Sequence, residues 1–252
     1  MRQLTLTGLS GIPEIQRGAA LAPLLIEAVA RAGLALEAGD VLVIAQKIVS
    51  KAEGRMVRLA DVSPGADAVS LAATLDKDPR LVELTLRESR QVLRAERGVM
   101  IVEHRLGLVM ASAGIDQSNV PDAEENALLL PEDPEASAGR IRAELREMSG
   151  VDVAVIINDS FGRPWRNGVI GTAIGVAGIP ALVDLRGEPD RQGRVLQRTQ
   201  VAAADELAAA ASLVMGQAGE SIPAVLARGF PYSRREGSVR ELIRPPDQDF
   251  FR

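Results

Sequence analysis

The sequence has no cysteine and only one histidine, His104, among its 252 residues. Without cysteine the chain can form neither disulfides nor thiolate metal sites, and it lacks a thiol nucleophile. A single histidine also excludes any metal cluster that needs several imidazoles. A metal would therefore have to be held by oxygen atoms, which favours Mg²⁺ or Mn²⁺ and allows Ca²⁺. Because His104 has no partner in the sequence, we predict a surface position at a turn and no role as a catalytic base.

Aromatic residues are also scarce, and the chain carries no excess of positive charge. Phe, Tyr and Trp together make up 2% of the chain, and Trp165 is the single tryptophan. The core must therefore be built from Leu, Val, Ile and Ala, and the aromatic platforms on which nucleic-acid bases stack are missing. The net charge of -5 disfavours binding to nucleic-acid phosphates as well. We expect no nucleic-acid partner.

Long apolar runs are missing too. No stretch reaches the ~20 apolar residues that a membrane helix needs, and no apolar signal region follows Met1. We therefore expect a cytoplasmic protein without a membrane partner. A hydrophobic content of 46% is enough for a packed core. We predict one domain over residues 1–252, with room for two lobes.

The order of strands and helices predicts a mixed α/β fold. Apolar patterns predict strands at 4–9, 41–45, 99–102, 108–111, 153–157 and 222–228. Helices are predicted at 19–32, 64–75, 79–94 and 201–215, together with one that Ser137 caps and that ends at Gly150. The chain has neither the G-x-G-x-x-G dinucleotide fingerprint nor a phosphate-binding P-loop, so the fold is predicted to be neither Rossmann nor P-loop.

The longest polar motif follows the strand predicted at 153–157. The apolar run stops, and Asp159 and Ser160 offer a carboxylate and a hydroxyl, both hard oxygen ligands. A glycine and a proline then break the strand, and Arg163 and Arg166 follow in the same loop. Guanidinium groups suit phosphate or carboxylate partners.

A second acidic loop, 112–120, follows the predicted hairpin. It holds Asp116, Ser118 and Asn119 within four residues, which is more ligand capacity than a simple turn requires. Lysine is rare, since only three of the 29 basic residues are lysines. Two of them, Lys47 and Lys51, lie just beyond the buried strand predicted at 41–45.

If the two acidic loops converge, Asp116 and Asp159 can share one cation or a pair of cations. Lys47 and Lys51 can then meet phosphate oxygens across the site, which is how nucleotide chemistry is assembled without a P-loop. The alternative is that these are separate surface loops with incidental ion pairs, and spacing alone does not decide between the two.

Several long segments resemble a known family. These are GDVLVIAQKIVSKAEGR, SAGIDQSNV, LLLPEDP, INDSFGRPWRNGVIG, the DLRG loop with its D..GR continuation, and ADELAAAASLVMGQAG followed by IPAVLARG. Together they are very similar to the coenzyme F420:L-glutamate ligases, the gamma-glutamyl ligases of deazaflavin cofactor biosynthesis. The resemblance spans nearly the whole chain. It implies the family's mixed α/β fold, a homodimer, GTP as co-substrate and a divalent metal, with room for a monovalent cation such as K⁺.

The resemblance also implies roles for individual residues. Those at guanine-nucleotide contacts are Gly11, Ile12, Pro13, Glu14, Gln46, Lys47, Lys51, Asn119, Met215, Gly216, Gln217, Ala218, Gly219, Glu220, Ser221 and Ile222. The metal ligands fall at Asp116, Asp159 and Ser160.

Two positions depart from the family pattern. Ser160 stands where threonine is common, which keeps the hydroxyl. Gln217 stands where some archaeal members have a metal-binding glutamate, and we include it among the predicted metal ligands. Some actinobacterial relatives carry an added nitroreductase-like domain, which we expect to be missing here.

The implied reaction adds L-glutamate to the lactyl carboxylate of the unglutamylated cofactor, F420-0. A carboxylate is a poor acyl donor, so we expect GTP to convert it to an acyl phosphate that the amine then attacks. We predict Asp116, Asp159, Lys51, Arg163 and Arg166 as catalytic residues, the two arginines by chemistry alone. The alternatives are a metal-dependent phosphohydrolase or phosphotransferase and a non-catalytic GTP-binding regulator.

Overall fold

A five-stranded sheet forms the centre of the computed structural model, which describes residues 3–250. The strand order is β1-β12-β2-β8-β9, and only the β2–β8 pair is parallel. The strands of this sheet are β1 (Thr5–Leu9), β2 (Val41–Ala45), β8 (Ala154–Arg163), β9 (Arg166–Ala177) and β12 (Ala224–Arg228). The predicted mixed α/β class is confirmed.

Helices cover both faces of the sheet. Those packed around it are α1 (Leu21–Arg31), α2 (Gln46–Ala52), α5 (Pro134–Ser149) and α6 (Ala203–Met215), whereas α3 (Ala66–Leu75) and α4 (Pro79–Arg87) pack against each other and a smaller sheet. Gly171 approaches the backbone of α6, whereas Gly175 approaches Pro134 of α5. Gly171 and Gly175 are four positions apart on β9, but a register shift lies between them, so their partners on β8, Ser160 and Ile157, are only three apart. Residues an odd number apart on a strand face opposite sides of the sheet. The small residues of β9 therefore let two helices pack closely on opposite faces.

The parallel pair brings two polar strand ends together. Its register places Ala45 opposite Asn158. The first residues of α2 therefore lie beside Asp159 at the same edge of the sheet. The adjacent ends of parallel strands are a usual place for binding sites in α/β folds.

The sequence prediction for the end of β8 was wrong. We expected the strand to stop at Asn158 and to be broken by the segment 161–164, but β8 continues to Arg163 and pairs with β9 across a two-residue turn. The long antiparallel partner satisfies the backbone groups, so Asp159 and Ser160 lie within a strand. The pairing of β8 with β9 shifts register at two points, between Ile157 and Asn158 and between Gly162 and Arg163.

The remaining strands form smaller sheets. β3 (Met56–Arg58) pairs with β7 (Asn126–Leu128), β4 (Ser89–Glu96) with β5 (Val99–His104) and β6 (Val109–Ala111), and β10 (Val183–Asp184) with β11 (Gln200–Val201). The predicted helix at 79–94 was wrong beyond Arg87, because Ser89–Glu96 pairs with β5. Pairing across the sheet overrides the local helical pattern.

Two further predictions are corrected. His104 is fully buried and not on the surface: its Nδ1 accepts a hydrogen bond from the Leu106 N–H, and its Nε2 faces Glu88 at 3.5 Å. Helix α5 is capped by Asp133, whose side chain accepts from the Ala136 N–H, and Ser137 lies inside the helix. Among residues 3–250 no helix is both long enough and apolar enough to span a membrane.

Candidate nucleotide and metal site

A cleft of about 440 Å³ opens at the shared end of β2 and β8. Its walls come from the loop after β1, helix α2, the loop after β6, the end of β8 and the segment after α6. The residues that line it are Ile12, Pro13, Glu14, Ile15, Ala45, Gln46, Lys47, Ile48, Lys51, Asp116, Ser118, Asn119, Asn158, Asp159, Ser160, Met215, Gly216, Gln217, Ala218, Glu220, Ser221, Ile222 and Pro223.

The two lysines enter the cleft from one helix. Lys47 and Lys51 are four residues apart in α2, so they lie on the same face one turn apart. The Lys47 Nζ atom lies 2.8 Å from Asp116 Oδ2, and it donates to the Ser118 hydroxyl at 2.6 Å and to the Ser118 carbonyl at 3.0 Å. The helix thereby holds the acidic loop against the end of the sheet.

Lys51 is the more buried of the two lysines, with only 8% of its surface exposed. Its Nζ donates to Glu14 Oε1 at 2.5 Å and to the Asn119 carbonyl at 2.9 Å. Glu14 is more than half exposed, so its carboxylate can turn to solvent when another anion approaches Lys51. This geometry suits a cation that exchanges one acidic partner for a phosphate.

The two predicted acidic residues lie close enough to influence each other. Burial alone would raise the pKa of Asp116, but hydrogen bonds from Lys47 and from the Ser118 N–H outweigh it and hold that pKa below its ordinary value. Burial raises the pKa of Asp159 to about 7, and the negative charge of Asp116 contributes to the increase, although the Ser160 N–H and Lys47 oppose it. Asp116 therefore has a cation as its direct partner, whereas Asp159 has too little positive charge near it to offset its burial.

The segment after α6 closes the opposite wall. The Ser160 hydroxyl donates to Gln217 Oε1 at 2.8 Å, and Asn119 Nδ2 donates to the Ala218 carbonyl at 3.2 Å. The Glu220 carboxylate accepts from the Ala218 N–H at 2.8 Å. These bonds connect the end of β8, the acidic loop and the segment 215–222 around one space.

The buried amide of Asn158 has a polar atom without a partner within the described chain. Asn158 is 4% exposed, and its Nδ2 donates to Ser212, yet its Oδ1 makes no hydrogen bond there. Gln46 is anchored through Oε1, which accepts from Ser50, and its side chain reaches Asp159, where it opposes the rise of the carboxyl pKa. Buried polar atoms are usually paired, so Asn158 Oδ1 has capacity for a ligand.

The donor set fits a hard divalent cation. Asp116, Asp159, the Ser160 hydroxyl and the Gln217 amide oxygen all line the cleft, and Mg²⁺ and Mn²⁺ prefer oxygen ligands. A bound cation would favour the charged form of Asp159, whose pKa burial raises to about 7. Residues 3–250 contain no cluster of three or more His, Cys, Asp or Glu, so neutral oxygens or substrate phosphates would complete the coordination.

Most of the predicted site residues meet in this cleft, and four do not line it. Gly11 and Gly219 lie in the bordering loops, while Arg163 and Arg166 lie at the far end of the β8–β9 hairpin. Ser118 and Asn158 line the cleft but were not among the predicted site residues. The i, i+2 position of Ser118 after Asp116 was a usable signal, because an Asx turn places that N–H on the carboxylate. Asn158 could not be identified from the sequence, because the direction of its side chain depends on the register of the sheet.

Comparison with known proteins identifies the family. The family model described as F420-0:Gamma-glutamyl ligase matches residues 11–229. The chain is 47% identical to the coenzyme F420:L-glutamate ligase of Methanothermobacter thermautotrophicus over 99% of both chains. It is 50% identical to the enzyme of that name from Methanopyrus kandleri over 86% of this chain and 87% of the relative, and 42% identical to that from Archaeoglobus fulgidus over 96% and 94%. The chain therefore belongs to the F420-0:gamma-glutamyl ligase family and is a ligase.

Proposed function

We propose that this protein joins L-glutamate to the deazaflavin precursor F420-0 and uses GTP to activate the acceptor carboxylate. The γ-phosphoryl group of GTP passes to the carboxylate and gives an acyl phosphate and GDP. The glutamate amine attacks the acyl carbon, phosphate leaves, the amine gives up a proton, and an amide between the acceptor's carbonyl and the glutamate nitrogen remains. Further glutamates, each joined to the γ-carboxylate of the one before, would build the gamma-linked tail. The observation that carries the proposal is the cleft in which two lysines face two carboxylates.

The chain's own residues would position the phosphates. Lys51 gives up Glu14 and binds the phosphate chain, and Lys47 lies one helical turn away on the same side. Asn119 and the segment 215–222 face the same space and hold the remainder of the nucleotide. A low-dielectric wall strengthens these charge interactions, because Lys51 is almost fully buried.

Asp116, Asp159 and Ser160 would hold Mg²⁺ or Mn²⁺. When bound, the metal would supply positive charge to the phosphoryl oxygens. Gln217 lies within reach of Ser160, and its neutral oxygen is a weaker ligand than a carboxylate. Arg163 and Arg166 are proposed to meet anionic groups of the acceptor or of glutamate.

A homodimer and an effect of K⁺ remain predictions from the family resemblance. Sedimentation of the purified protein measures the first, and replacement of K⁺ by Na⁺ during turnover measures the second.

The reaction is tested with the purified protein, GTP and Mn²⁺, with each acceptor omitted in turn. Phosphate release should require both F420-0 and L-glutamate, and mass spectrometry should find F420-0 extended by glutamate. Phosphate release without either acceptor would indicate the phosphohydrolase instead. GTP binding without turnover in any mixture would indicate a regulator.

A further inference from the structure

The hairpin formed by β8 and β9 extends beyond the rest of the sheet. β2 ends opposite Asn158, so the part of β8 from Asp159 to Arg163 pairs with β9 alone. At ~3.3 Å per residue, Arg163 lies about 13 Å along the strand from Asp159. The two-residue tip, Pro164 and Trp165, therefore stands a small molecule's length from the cleft.

Trp165 occupies this tip at a cost to the fold. Its surface is 81% exposed, although an indole usually contributes stability by burial. Its φ angle is 58°, in the left-handed region that glycine and asparagine adopt more readily than a bulky residue. Strained residues persist mainly where function requires them. The exposed indole therefore suggests a ligand.

The arginines beside Trp165 add positive charge at the same place. Arg163 and Arg166 lie directly opposite each other in the hairpin register, where like charges destabilise a pair of strands. The Nε atom of Arg163 is buried without a hydrogen-bond partner in the described chain. An aromatic surface flanked by two cations, on a protein with a net charge of -5, suits a planar anionic ligand.

We propose that Trp165 stacks on the fused ring of the acceptor and that Arg166 pairs with negative charge on it, while the acceptor's carboxylate reaches Asp159 and Ser160. This assignment rests on the proposed function and adds a ring subsite to it. A ring joined through a chain to its reacting carboxylate has the two ends that the hairpin tip and the cleft would bind. The same hairpin surface would otherwise be a contact with a second copy of this chain.

The single tryptophan gives a direct binding measurement. Titration of the unmodified protein with F420-0 in the absence of GTP should quench Trp165 fluorescence to a saturating limit. GTP and glutamate, each added alone, should leave the emission unchanged. If F420-0 binds by equilibrium dialysis but the emission stays constant, the ring is not at Trp165 and the assignment is wrong.

Trp165→Gly separates the ligand role from folding. Glycine tolerates the positive φ, so the variant should stay folded, which circular dichroism measures. Its affinity for F420-0 by dialysis should fall at least about fivefold, the lower range for loss of one stacking platform. Its KM for GTP should not change. Trp165→Phe should recover most of the affinity, and Val195→Ala, an exposed apolar residue on another loop, serves as the matched control.

The remaining outcomes are also decisive. If Trp165→Gly turns a dimer into a monomer and leaves F420-0 affinity intact, the tip is a subunit contact and the ring subsite is disproved. If the unmodified protein neither binds nor extends F420-0, the proposed function fails, and that result does not depend on Trp165.

Discussion

At the scale of single residues, the two carboxylates of the cleft, Asp116 and Asp159, have different surroundings. Asp116 is held by Lys47 and by the Ser118 N–H, whereas Asp159 has no cation at hydrogen-bonding distance in the described chain. The two carboxylates are therefore unequal. Asp159 is the residue whose charge a bound divalent cation would stabilise most.

Asp116→Asn and Asp159→Asn should each abolish turnover without unfolding the protein. Asparagine keeps the size of the side chain but removes a charge that no cysteine or second histidine can replace. Rates at limiting Mn²⁺, together with circular dichroism, measure both effects. Near-normal activity of either variant under these conditions would disprove the metal assignment of that residue.

Lys51→Ala should weaken GTP binding by roughly 1.5–3 kcal/mol, the range for hydrogen bonds to charged groups. Glu14 would then lose its partner, but it is exposed enough to remain hydrated. Calorimetric titration with GTP measures the change. Lys77→Ala is the control, because Lys77 does not line the cleft. Equal losses in the two variants would show that total charge matters and that Lys51 makes no specific contact.

At the scale of elements, the end of β8 and the segment after α6 form two facing walls of the cleft. Ser160 belongs to the strand and Gln217 to the segment, and their 2.8 Å hydrogen bond connects the two. The packing of α6 on β9 depends on Gly171, where a side chain would collide with Ser212 and with the backbone of Ala208. The distance between the two walls of the cleft is thus set by helix packing outside it.

Gln217→Glu should lower the Mn²⁺ concentration that gives half the maximal rate. A carboxylate binds a hard cation more strongly than an amide oxygen does, and Gln217 already reaches Ser160. The effect should be larger at low GTP, where the nucleotide supplies fewer ligands. Gln217→Leu is the comparison variant. An unchanged or higher metal requirement in Gln217→Glu would mean that this position faces no metal.

At the scale of the whole molecule, three hydrophobic clusters divide the chain. The large cluster includes the central sheet, and two smaller ones lie among residues within 57–129. Glu88 lies at their boundary, where its carboxylate accepts from Arg55 at 2.9 Å and from Arg105 at 3.1 Å. Arg55 also donates to the carbonyl of Leu130, which belongs to the large cluster. This ion-pair network therefore links the segment that contains the two smaller clusters to the large cluster.

Glu88→Gln should destabilise the protein at neutral pH, and the effect should fade in acid. Burial alone would raise the pKa of Glu88, but His104, Arg55 and Arg105 outweigh it and hold the pKa at about 2, against an ordinary 4.5. A depressed folded-state pKa stabilises above pH 4.5, and the contribution is lost as the pH falls through 2. The difference corresponds to roughly 3 kcal/mol.

Urea unfolding of the wild type and the variant at several pH values measures this contribution. The two stabilities should converge between pH 4.5 and 2. Exposed Glu147→Gln is the control and should show no comparable loss. A constant difference across that range would mean that Glu88 acts by packing and not by charge.

The sequence by itself determined the chemistry available to this protein. The absence of cysteine and the single histidine restrict any metal site to oxygen ligands, and the rare lysines beyond an apolar strand predict an anion site. These conclusions depend on residue identity and on local pattern, so they required no fold. The strands β1, β2 and β12 and the helix α6 were likewise predictable from local apolar periodicity.

Only the tertiary structure decided which of these residues meet. Asp116 and Asp159 are more than 40 positions apart, and their approach follows from the parallel pairing of β2 with β8 and from the ion pair of Lys47 with Asp116. The extension of β8 through Asp159 depended on its pairing with β9, and the burial of His104 depended on packing against Glu88. Local sequence carries no information about a partner strand or a distant ion pair, because those contacts form only when the chain folds.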